Sequence, residues 1–303
     1  MRIALAGLAT SHPFTDAGTL AGHAELVVWE DDPERRARFR AEHPSARFTR
    51  DLAELLATEP DGVVLTVPTP GLADALALVL AADLPCLVNK PAAATPEQLR
   101  RIDDVAAVAP HRVMSTSVLR FAPAFRGWSV DRDDVLAVRA TVRHDVGLWA
   151  SGYNPWQDDP AAGGGTLVTM GIHGLELLVS LLGPAVRLAG VTTGLRHHTG
   201  LRSEDTAVLA VRWDDGIPGS VEVIGATDVE SYTVAVHTSA GVATTVIEPG
   251  PDPVEGLGYR ATIEAFLDLV RTGTSPVPWT QTRAILDVLT AARDTTVPLT
   301  TRR

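Results

Sequence analysis

Short apolar runs alternate with helix-like segments over the first 117 residues, and this alternation restricts the possible folds more than any other feature. The runs are bounded by turn-forming or acidic residues, and they cover residues 3–6, 26–29, 63–67, 86–88 and 113–117. The segments between them carry helix-start signals, such as Pro33 after an acidic run and Thr95 before Pro96. A regular alternation of this kind predicts a doubly wound parallel sheet.

The rest of the chain has a different pattern, in which strands dominate. Period-two alternation, as in residues 233–237, favours an antiparallel sheet with one covered face. The predicted strands cover residues 136–143, 186–191, 205–213, 219–224, 232–238 and 243–247. Helices are predicted over 166–182, 261–271 and 282–292. We therefore predict two domains, 1–119 and 120–303.

Composition excludes several classes of protein. Hydrophobic residues make up 45% of the 303 and charged residues 21%, which is typical of a globular chain, and the net charge of −11 argues against a nucleic-acid-binding surface. Cys86 is the one cysteine, so no intrachain disulfide can form. No apolar run is long enough to cross a membrane, and the N-terminus lacks the features of a signal peptide. A cytoplasmic protein is expected.

Lys90 is the single lysine in a chain with 25 arginines. One interpretation is a coding bias that removed lysine almost everywhere. The other is that position 90 needs a compact ammonium whose pKa shifts readily, which the planar guanidinium of arginine cannot supply. We favour the second interpretation because Lys90 follows a predicted parallel strand, next to Asn89.

The turn after the first strand is a candidate phosphate-binding loop. Dinucleotide-binding folds carry G-x-G-x-x-G here, and this chain has Gly7-Leu8-Ala9-Thr10-Ser11-His12, with only the first glycine in place. Glu30 ends the second strand, where a ribose hydroxyl is held in such folds, although Glu30-Asp31-Asp32 could equally cap the next helix. These acidic residues would repel a 2′-phosphate, which favours NAD over NADP. His12 could contact a phosphate, approach the nicotinamide or fill space as a packed residue.

Two further segments could carry chemistry. Thr169 and His173 share one face of the predicted long helix, which follows Gly163-Gly164-Gly165. The loop over 149–159 combines Tyr153 and Trp156 with amides and carboxylates, which suits a polyhydroxylated ligand or, alternatively, a loop pinned to the core by its tryptophans. The His197-His198 pair lacks the spacing of a metal site, and no metal is predicted.

The ordered set of these motifs resembles the glucose–fructose oxidoreductase, inositol dehydrogenase and rhizopine-catabolism (Gfo/Idh/MocA) family over nearly the whole chain. The landmarks are the glycine turn, Thr66-Val67-Pro68-Thr69-Pro70, Asn89-Lys90-Pro91, Arg120-Phe121-Ala122-Pro123, Asp159-Pro160, the triple glycine, Gly171-Ile172-His173 and Glu204-Asp205-Thr206. The resemblance implies an α/β protein with an N-terminal Rossmann-type parallel sheet and a C-terminal α/β domain with an open, mostly antiparallel sheet. It also implies a homodimer or homotetramer formed through that second sheet.

The resemblance implies roles for individual residues. Lys90 matches the family's catalytic lysine, which would stabilise developing alkoxide charge, and His173 matches the catalytic histidine, which would take the hydroxyl proton. The implied cofactor contacts are Gly7, Ala9, Thr10, Ser11, His12, Glu30, Thr66, Pro68, Asn89 and Lys90. The implied substrate contacts are Lys90, Arg120, Tyr153, Trp156, Thr169 and His173. Asn89 and Thr169 stand where the family usually has a glutamate and an aspartate.

The function predicted is hydride transfer between NAD and a sugar, cyclitol or related polyol, with no nucleic acid or membrane as partner. Two alternatives remain open from the residues. One is an enzyme that uses bound NAD for a net non-redox reaction, such as elimination or glycoside cleavage. The other is a non-catalytic ligand sensor on the same fold.

Overall fold

The computed structural model describes residues 1–296, which form two six-stranded sheets with helices packed on them. The strands of the first sheet are β1 (Arg2–Ala6), β2 (Glu25–Trp29), β3 (Arg47–Phe48), β4 (Gly62–Leu65), β5 (Cys86–Val88) and β6 (Val113–Met114). All neighbours pair in parallel, in the order β3-β2-β1-β4-β5-β6. The predicted doubly wound parallel sheet is confirmed.

Five helices connect these strands, and their starts follow from local capping. They are α1 (His12–Leu20), α2 (Pro33–Glu42), α3 (Leu52–Leu56), α4 (Thr69–Ala81) and α5 (Pro96–Ala106). The Asp32 carboxylate accepts hydrogen bonds from the Glu34 and Arg35 N–H groups at the start of α2. Thr95 caps α5 in the same way through the Gln98 N–H. Each cap satisfies backbone donors that would otherwise lack a partner in the first helical turn.

The strand order changes direction beside β1, because β2 lies on one side of it and β4 on the other. In open parallel sheets, ligands bind in the crevice at the carboxyl ends of the strands at this point. The carboxyl ends of β1, β4 and β5 lead directly into Gly7, Thr66 and Asn89-Lys90. The topology therefore brings three of the sequence motifs to one edge of the sheet.

The second sheet is mixed and mostly antiparallel, as predicted. Its strands are β7 (Val135–Arg143), β8 (Val186–Gly194), β9 (Thr206–Trp213), β10 (Pro218–Ile224), β11 (Ser231–Thr238) and β12 (Gly241–Ile247). The order is β12-β11-β7-β10-β9-β8, and only β7 and β10 pair in parallel within the described residues. Before and after β7 come the short helices α6 (Pro123–Arg126), α7 (Gly147–Ala150) and α8 (Pro155–Asp158).

Helix α9 (Gly165–Leu182) covers one face of this sheet and is buried over most of its length. Gly174 allows the close approach, since a Cβ there would lie 2.6 Å from the Val221 side chain on β10. Among residues 1–296, α9 is the one helix long and apolar enough to span a membrane, and 89% of it is buried inside the protein. Here α9 serves as a core helix.

The last helices are α10 (Pro253–Gly256), α11 (Tyr259–Thr272) and α12 (Trp279–Thr295). Helix α11 returns to the first sheet, where Ile263, Phe266 and Leu267 share an apolar core with Ile3 and Leu5 of β1. A strict division at residue 119 therefore does not describe this helix, which completes the N-terminal layer although it lies in the range 120–303.

Smaller differences from the sequence prediction concern short segments. The two-residue strand β3 was not predicted, because two residues carry no detectable periodicity. The strand expected over 113–117 ends at Met114, and the residues after it turn towards the carboxyl edge of the sheet. Short 3₁₀ helices cover Pro110–Arg112, Val118–Phe121 and Arg132–Asp134.

Candidate active site

Gly7 fixes the turn between β1 and α1. Its φ of +86° is a left-handed conformation, and a Cβ there would lie 2.4 Å from the Thr66 carbonyl oxygen. The Gly7 N–H donates to the Trp29 carbonyl at 2.8 Å, and the Ala9 N–H donates to the Thr66 carbonyl at 3.1 Å. The turn is therefore held against the ends of β2 and β4, and only glycine fits its first position.

The end of this turn suits an anion. Helix α1 begins at His12, and the backbone N–H groups of Thr10 and Ser11 before it donate to no other group within residues 1–296. Free N–H groups at a helix N-terminus favour phosphate groups. These residues fit the diphosphate of a dinucleotide, although Ala9 and His12 replace the second and third glycines of the usual fingerprint.

Glu30 lies at the end of β2, 5% exposed, and holds the turn from the other side. One carboxylate oxygen accepts from the Leu8 N–H at 2.6 Å, and the other accepts from the Asp32 N–H at 2.8 Å and from the Arg35 guanidinium at 3.2 Å. The helix cap of α2 is Asp32 and not Glu30. The capping interpretation therefore applies to Asp32, and the contact of Glu30 with a ribose hydroxyl stays a prediction.

Asn89 ties the same region together. Its amide donates to the Thr10 hydroxyl at 3.0 Å and to the Thr66 hydroxyl at 3.5 Å. Pro68 precedes α4 and extends the same edge beyond Thr66. An amide can donate these two bonds and a carboxylate cannot, so Asn89 links the turn after β1 to the end of β4.

Lys90 is buried, with 5% exposure, beside α9. Its ammonium donates to the Thr169 carbonyl at 3.3 Å. Burial lowers the pKa of Lys90 to about 8, against a smaller opposing effect of the Glu230 carboxylate. A neutral amine and an ammonium are thus both accessible near neutral pH.

His173 reaches the same place from α9. Its Nδ1 lies 2.6 Å from the Ser117 Oγ, and its ring packs 5.7 Å from the Tyr232 ring. The pKa of His173 falls well below its ordinary value because of burial first, and then because of Lys90, His12 and His144. The ring is therefore neutral near neutral pH.

Lys90 and His173 line one cavity of about 290 Å³ between the two sheets. Its wall includes the end of the glycine turn, the loop after β7 and residues from β11 and α11. Among the lining residues are Thr10, Ser11, His12, Lys90, His144, Asp145, Trp149, Tyr153, Asn154, Gln157, His173, Glu230, Tyr232 and Tyr259. The cavity combines aromatic faces, amides, carboxylates and proton-exchanging groups, which is the composition expected of a site for a small polar ligand.

His12 lies in this cavity and packs 5.2 Å from the Tyr259 ring. Its pKa is lowered to about 3 by burial, with smaller contributions from Lys90 and His144. His12 therefore lies in the cavity wall, packed on Tyr259, and the three roles left open by the sequence stay predictions.

Three residues implied as substrate contacts lie outside the cavity wall. Arg120 forms a hydrogen-bonded ion pair with Glu176 at 3.0 Å and contacts Gln281 at 2.7 Å. Trp156 donates from its Nε1 to the Ala9 carbonyl at 3.0 Å, so it clamps the loop after β7 onto the glycine turn. The Thr169 hydroxyl bonds the Gly165 carbonyl, and only its backbone oxygen meets Lys90.

Several residues of the site were missed in the sequence. His144, Glu230 and Tyr232 come from the ends of β7 and β11, and Ser117 comes from the loop after β6. The pairing of β7 with β11 brings Arg143 opposite Ser231, so their flanking residues meet at one edge. The available signal was polar residues directly after or before predicted strands.

Within residues 1–296, no group of three His, Cys, Asp or Glu side chains could hold a metal ion.

Solved structures with the same fold cover almost the whole chain. GenD2 from gentamicin A biosynthesis, in complex with NAD, is 22% identical, with a TM-score of 0.80 over 97% of this chain and 93% of that one. A myo-inositol dehydrogenase from Corynebacterium glutamicum is 18% identical, with a TM-score of 0.79 over 97% and 96%. Myo-inositol 2-dehydrogenase from Lactobacillus plantarum is 16% identical, with a TM-score of 0.81 over 97% and 96%. At such identities the likeness shows the fold alone.

The sequence also matches models of two domain families. Residues 1–117 match the oxidoreductase family with an NAD-binding Rossmann fold, and residues 133–244 match the GFO/IDH/MocA C-terminal domain. A search of curated proteins finds no match to the sequence. The two matched ranges agree with the parallel sheet and the mixed sheet, and with their order along the chain. Because these matches cover more than half of the sequence, the chain belongs to the GFO/IDH/MocA family of oxidoreductases.

Proposed function

We propose that the protein is an NAD-dependent dehydrogenase or reductase that acts on a CH–OH group of a sugar, cyclitol or related polyol. The observation that carries the proposal is the placement of Lys90 and His173 in one buried cavity, next to a turn that fits a dinucleotide diphosphate. When bound, the nicotinamide supplies hydride acceptance or donation. The two side chains would hold the reacting oxygen between them.

The cavity wall supports the substrate class. Tyr153 and Trp149 offer aromatic faces, while Asn154 and Gln157 offer amides that bind hydroxyl groups in either direction. Asp145 and Glu230 add carboxylates that accept hydrogen bonds from hydroxyls. A polyhydroxylated ring presents both an apolar face and many donors, and this lining matches both.

The residues around the turn would hold the cofactor. The Thr10 and Ser11 N–H groups would receive the diphosphate, and Glu30 would accept from a ribose hydroxyl. Asp31 and Asp32 beside Glu30 add negative charge at the position where a 2′-phosphate would lie. We therefore propose NAD and not NADP as the preferred cofactor.

A titration of pure protein with NAD(H) and NADP(H) tests the cofactor proposal. We expect NAD(H) to bind at least about tenfold more tightly, or roughly 1.4 kcal/mol. The Glu30→Gln variant should narrow this difference, whereas the control Glu34→Gln, which removes the same charge from an exposed position on α2, should leave it nearly unchanged. Equal or reversed affinities in the unmodified protein would contradict the proposal.

A screen of sugars and cyclitols tests the reaction, with the formation or consumption of reduced nicotinamide as the measured signal. Turnover that depends on both Lys90 and His173 is the expected result. Tightly retained cofactor with product but no net reduced nicotinamide would favour the non-redox alternative. Failure to bind either cofactor, with retained ligand binding, would favour the sensor.

We also propose that copies of this chain associate through the open face of the second sheet, as a homodimer or homotetramer. The face opposite α9 exposes Val208, Val242 and Val246, 40%, 57% and 46% accessible. Val242 and Val246 lie on the edge strand β12 and Val208 lies on β9 across the same face, and exposed apolar side chains on an uncovered sheet face favour association. A reducing, cytoplasmic setting is proposed on the free, buried thiol of Cys86.

A further inference from the structure

The His173 ring is held from behind by a buried hydroxyl. The Ser117 Oγ lies 2.6 Å from His173 Nδ1, and Ser117 is fully buried. The same Oγ accepts a hydrogen bond from the Leu119 N–H at 3.2 Å. These contacts decide which way the Ser117 proton points.

A serine hydroxyl has one proton to donate. Within residues 1–296, the hydrogen-bond partners of the Ser117 Oγ are the Leu119 N–H, which can only donate, and His173 Nδ1. If Nδ1 carried a proton, the hydroxyl proton would be buried without an acceptor, which costs on the order of 1–3 kcal/mol. The Ser117 O–H therefore donates to Nδ1, and Nδ1 is unprotonated.

The ring then has one tautomer. A neutral imidazole carries a single proton, so this proton is on Nε2, the ring nitrogen left for the cavity. The charged and titratable groups that face the ring are Lys90, His12 and His144, which all disfavour a second proton, and the ring of Tyr232 packs on it. His173 thus presents an N–H donor to the cavity and no lone pair.

Glu176, one turn further along α9, fixes the serine. Its carboxylate accepts from the Thr116 hydroxyl at 2.7 Å, from the Arg120 guanidinium at 3.0 Å and from the Ser117 backbone N–H. Thr169, one turn before His173, carries no carboxylate and bonds its own helix. The orienting partner of His173 is therefore the loop after β6 and not a neighbour on α9.

We propose that Ser117 is a positioning residue that holds His173 in the Nε2–H tautomer, so that His173 donates a hydrogen bond to the reacting oxygen and Lys90 exchanges the proton. This inference rests on the proposed function. In oxidation, the substrate O–H bond would break and its proton would bond to the free electron pair of Lys90 Nζ, and a bound oxidised nicotinamide would supply the acceptor for the carbinol hydrogen as hydride. Reduction runs the same steps in reverse.

This assignment differs from the one that the family resemblance implies, in which His173 takes the proton. A neutral imidazole that donates from Nε2 stabilises a developing alkoxide without changing its own protonation. Lys90 is buried in the same cavity, and burial lowers its pKa to about 8 against a smaller opposing effect of Glu230, so its Nζ can exchange a proton near neutral pH.

Nitrogen NMR of the histidine rings in the cofactor-free protein tests the tautomer directly, with His173 assigned by its loss in His173→Gln. We expect the unmodified protein to carry the His173 proton on Nε2. Ser117→Ala should move part of that population to Nδ1. Ser115→Ala is the matched control, because the Ser115 hydroxyl is buried in the same segment without a hydrogen-bond partner among residues 1–296, and it should leave the His173 signals unchanged.

A His173 proton found on Nδ1 in the unmodified protein would overturn the proposal, as would a Ser117→Ala protein with unchanged His173 signals. If Ser117→Ala does not fold, the unmodified protein decides alone. None of these readouts needs turnover, so a failure of the proposed polyol activity remains distinguishable from a failure of the tautomer.

The pH profile of kcat/KM in the oxidation direction separates the two proton carriers. We expect kcat/KM to rise with pH through about 8, as Lys90 loses its proton. The amide in His173→Gln can still donate a hydrogen bond, so this variant should keep the same pH dependence while kcat/KM falls about 10²-fold. Lys90→Met should abolish the rise together with nearly all turnover. A His173→Gln profile that loses its dependence near pH 8 would overturn the assignment of the proton to Lys90.

Discussion

At the scale of single residues, Lys90 combines three properties that rarely occur together. It is the only lysine among 26 basic residues, it is buried, and its pKa is lowered to about 8, mainly by burial. Burial favours the neutral amine of Lys90, and an arginine at this position could not adopt a neutral form because it keeps its charge. The site therefore requires a lysine, whose amine can be neutral or charged near neutral pH.

Lys90→Arg should abolish turnover and leave the fold intact. A guanidinium keeps its charge and cannot accept the substrate proton, so turnover should fall by at least about 10²–10⁴-fold, the contribution of a positioned acid or base. Turnover on an active polyol and a melting curve are the two measurements. Nearly unchanged turnover in Lys90→Arg would mean that the single lysine is an accident of composition.

Local sequence patterns mark some residues of the candidate site and leave others unmarked. Lys90 and His173 stand in motifs with a local pattern, so they could be singled out. Glu230 and Ser117 have no local pattern, because their roles depend on strand pairing and on contacts 56 or more positions apart. Arg120 does stand in a motif, yet its guanidinium satisfies Glu176 behind the cavity.

At the scale of elements, the glycine turn and α1 form one unit. The sequence predicted the turn, the helix and the parallel strands, because each has a composition signal of its own. It could not predict that Trp156, far along the chain, would donate a hydrogen bond to the turn, or that Asp16 of α1 would be buried.

Gly7→Ala should weaken NAD binding and lower the melting temperature. An alanine at position 7 would have to adopt a left-handed backbone conformation, which costs roughly 1–2 kcal/mol. Its Cβ would also clash with the Thr66 carbonyl oxygen. Gly216→Ala is the matched control, because Gly216 has a φ of +96° but open space around it. Equal losses of stability in the two variants would show that crowding by Thr66 is unimportant.

Asp16→Asn should stabilise the protein increasingly as the pH rises. Burial raises the pKa of Asp16 to about 8 from an ordinary value of 3.8, so folding favours the protonated carboxyl. Stability is then greatest below pH about 4 and falls as the pH rises towards 8, by up to about 1.4 kcal/mol per pH unit. Melting curves from pH 5 to 8 should show a growing advantage for the asparagine variant. A constant difference would contradict the raised pKa.

At the scale of the whole molecule, the second sheet has one face against α9 and one face open. The buried face follows from the period-two pattern and was predicted. The open face carries the exposed valines of the proposed assembly, and a contact between two copies leaves no periodic pattern in the sequence of one.

Val246→Arg should shift the protein to a smaller species in analytical ultracentrifugation, because a charge on the open face would be buried in the assembly. Val108→Arg, at a 79% exposed position after α5, is the control and should leave the sedimentation unchanged. An unmodified protein that sediments as a monomer would contradict the proposed assembly.

The return of α11 to the first sheet has a consequence for how the chain acquires its structure during synthesis. The last strand of that sheet ends at Met114, but the apolar side chains that complete its core, Ile263, Phe266 and Leu267, emerge from the ribosome about 150 residues later. For that interval the nascent Rossmann layer has an uncovered apolar surface. A fragment that stops before α11 should therefore engage chaperones or aggregate, whereas the same fragment supplied with α11 as a separate peptide should be rescued.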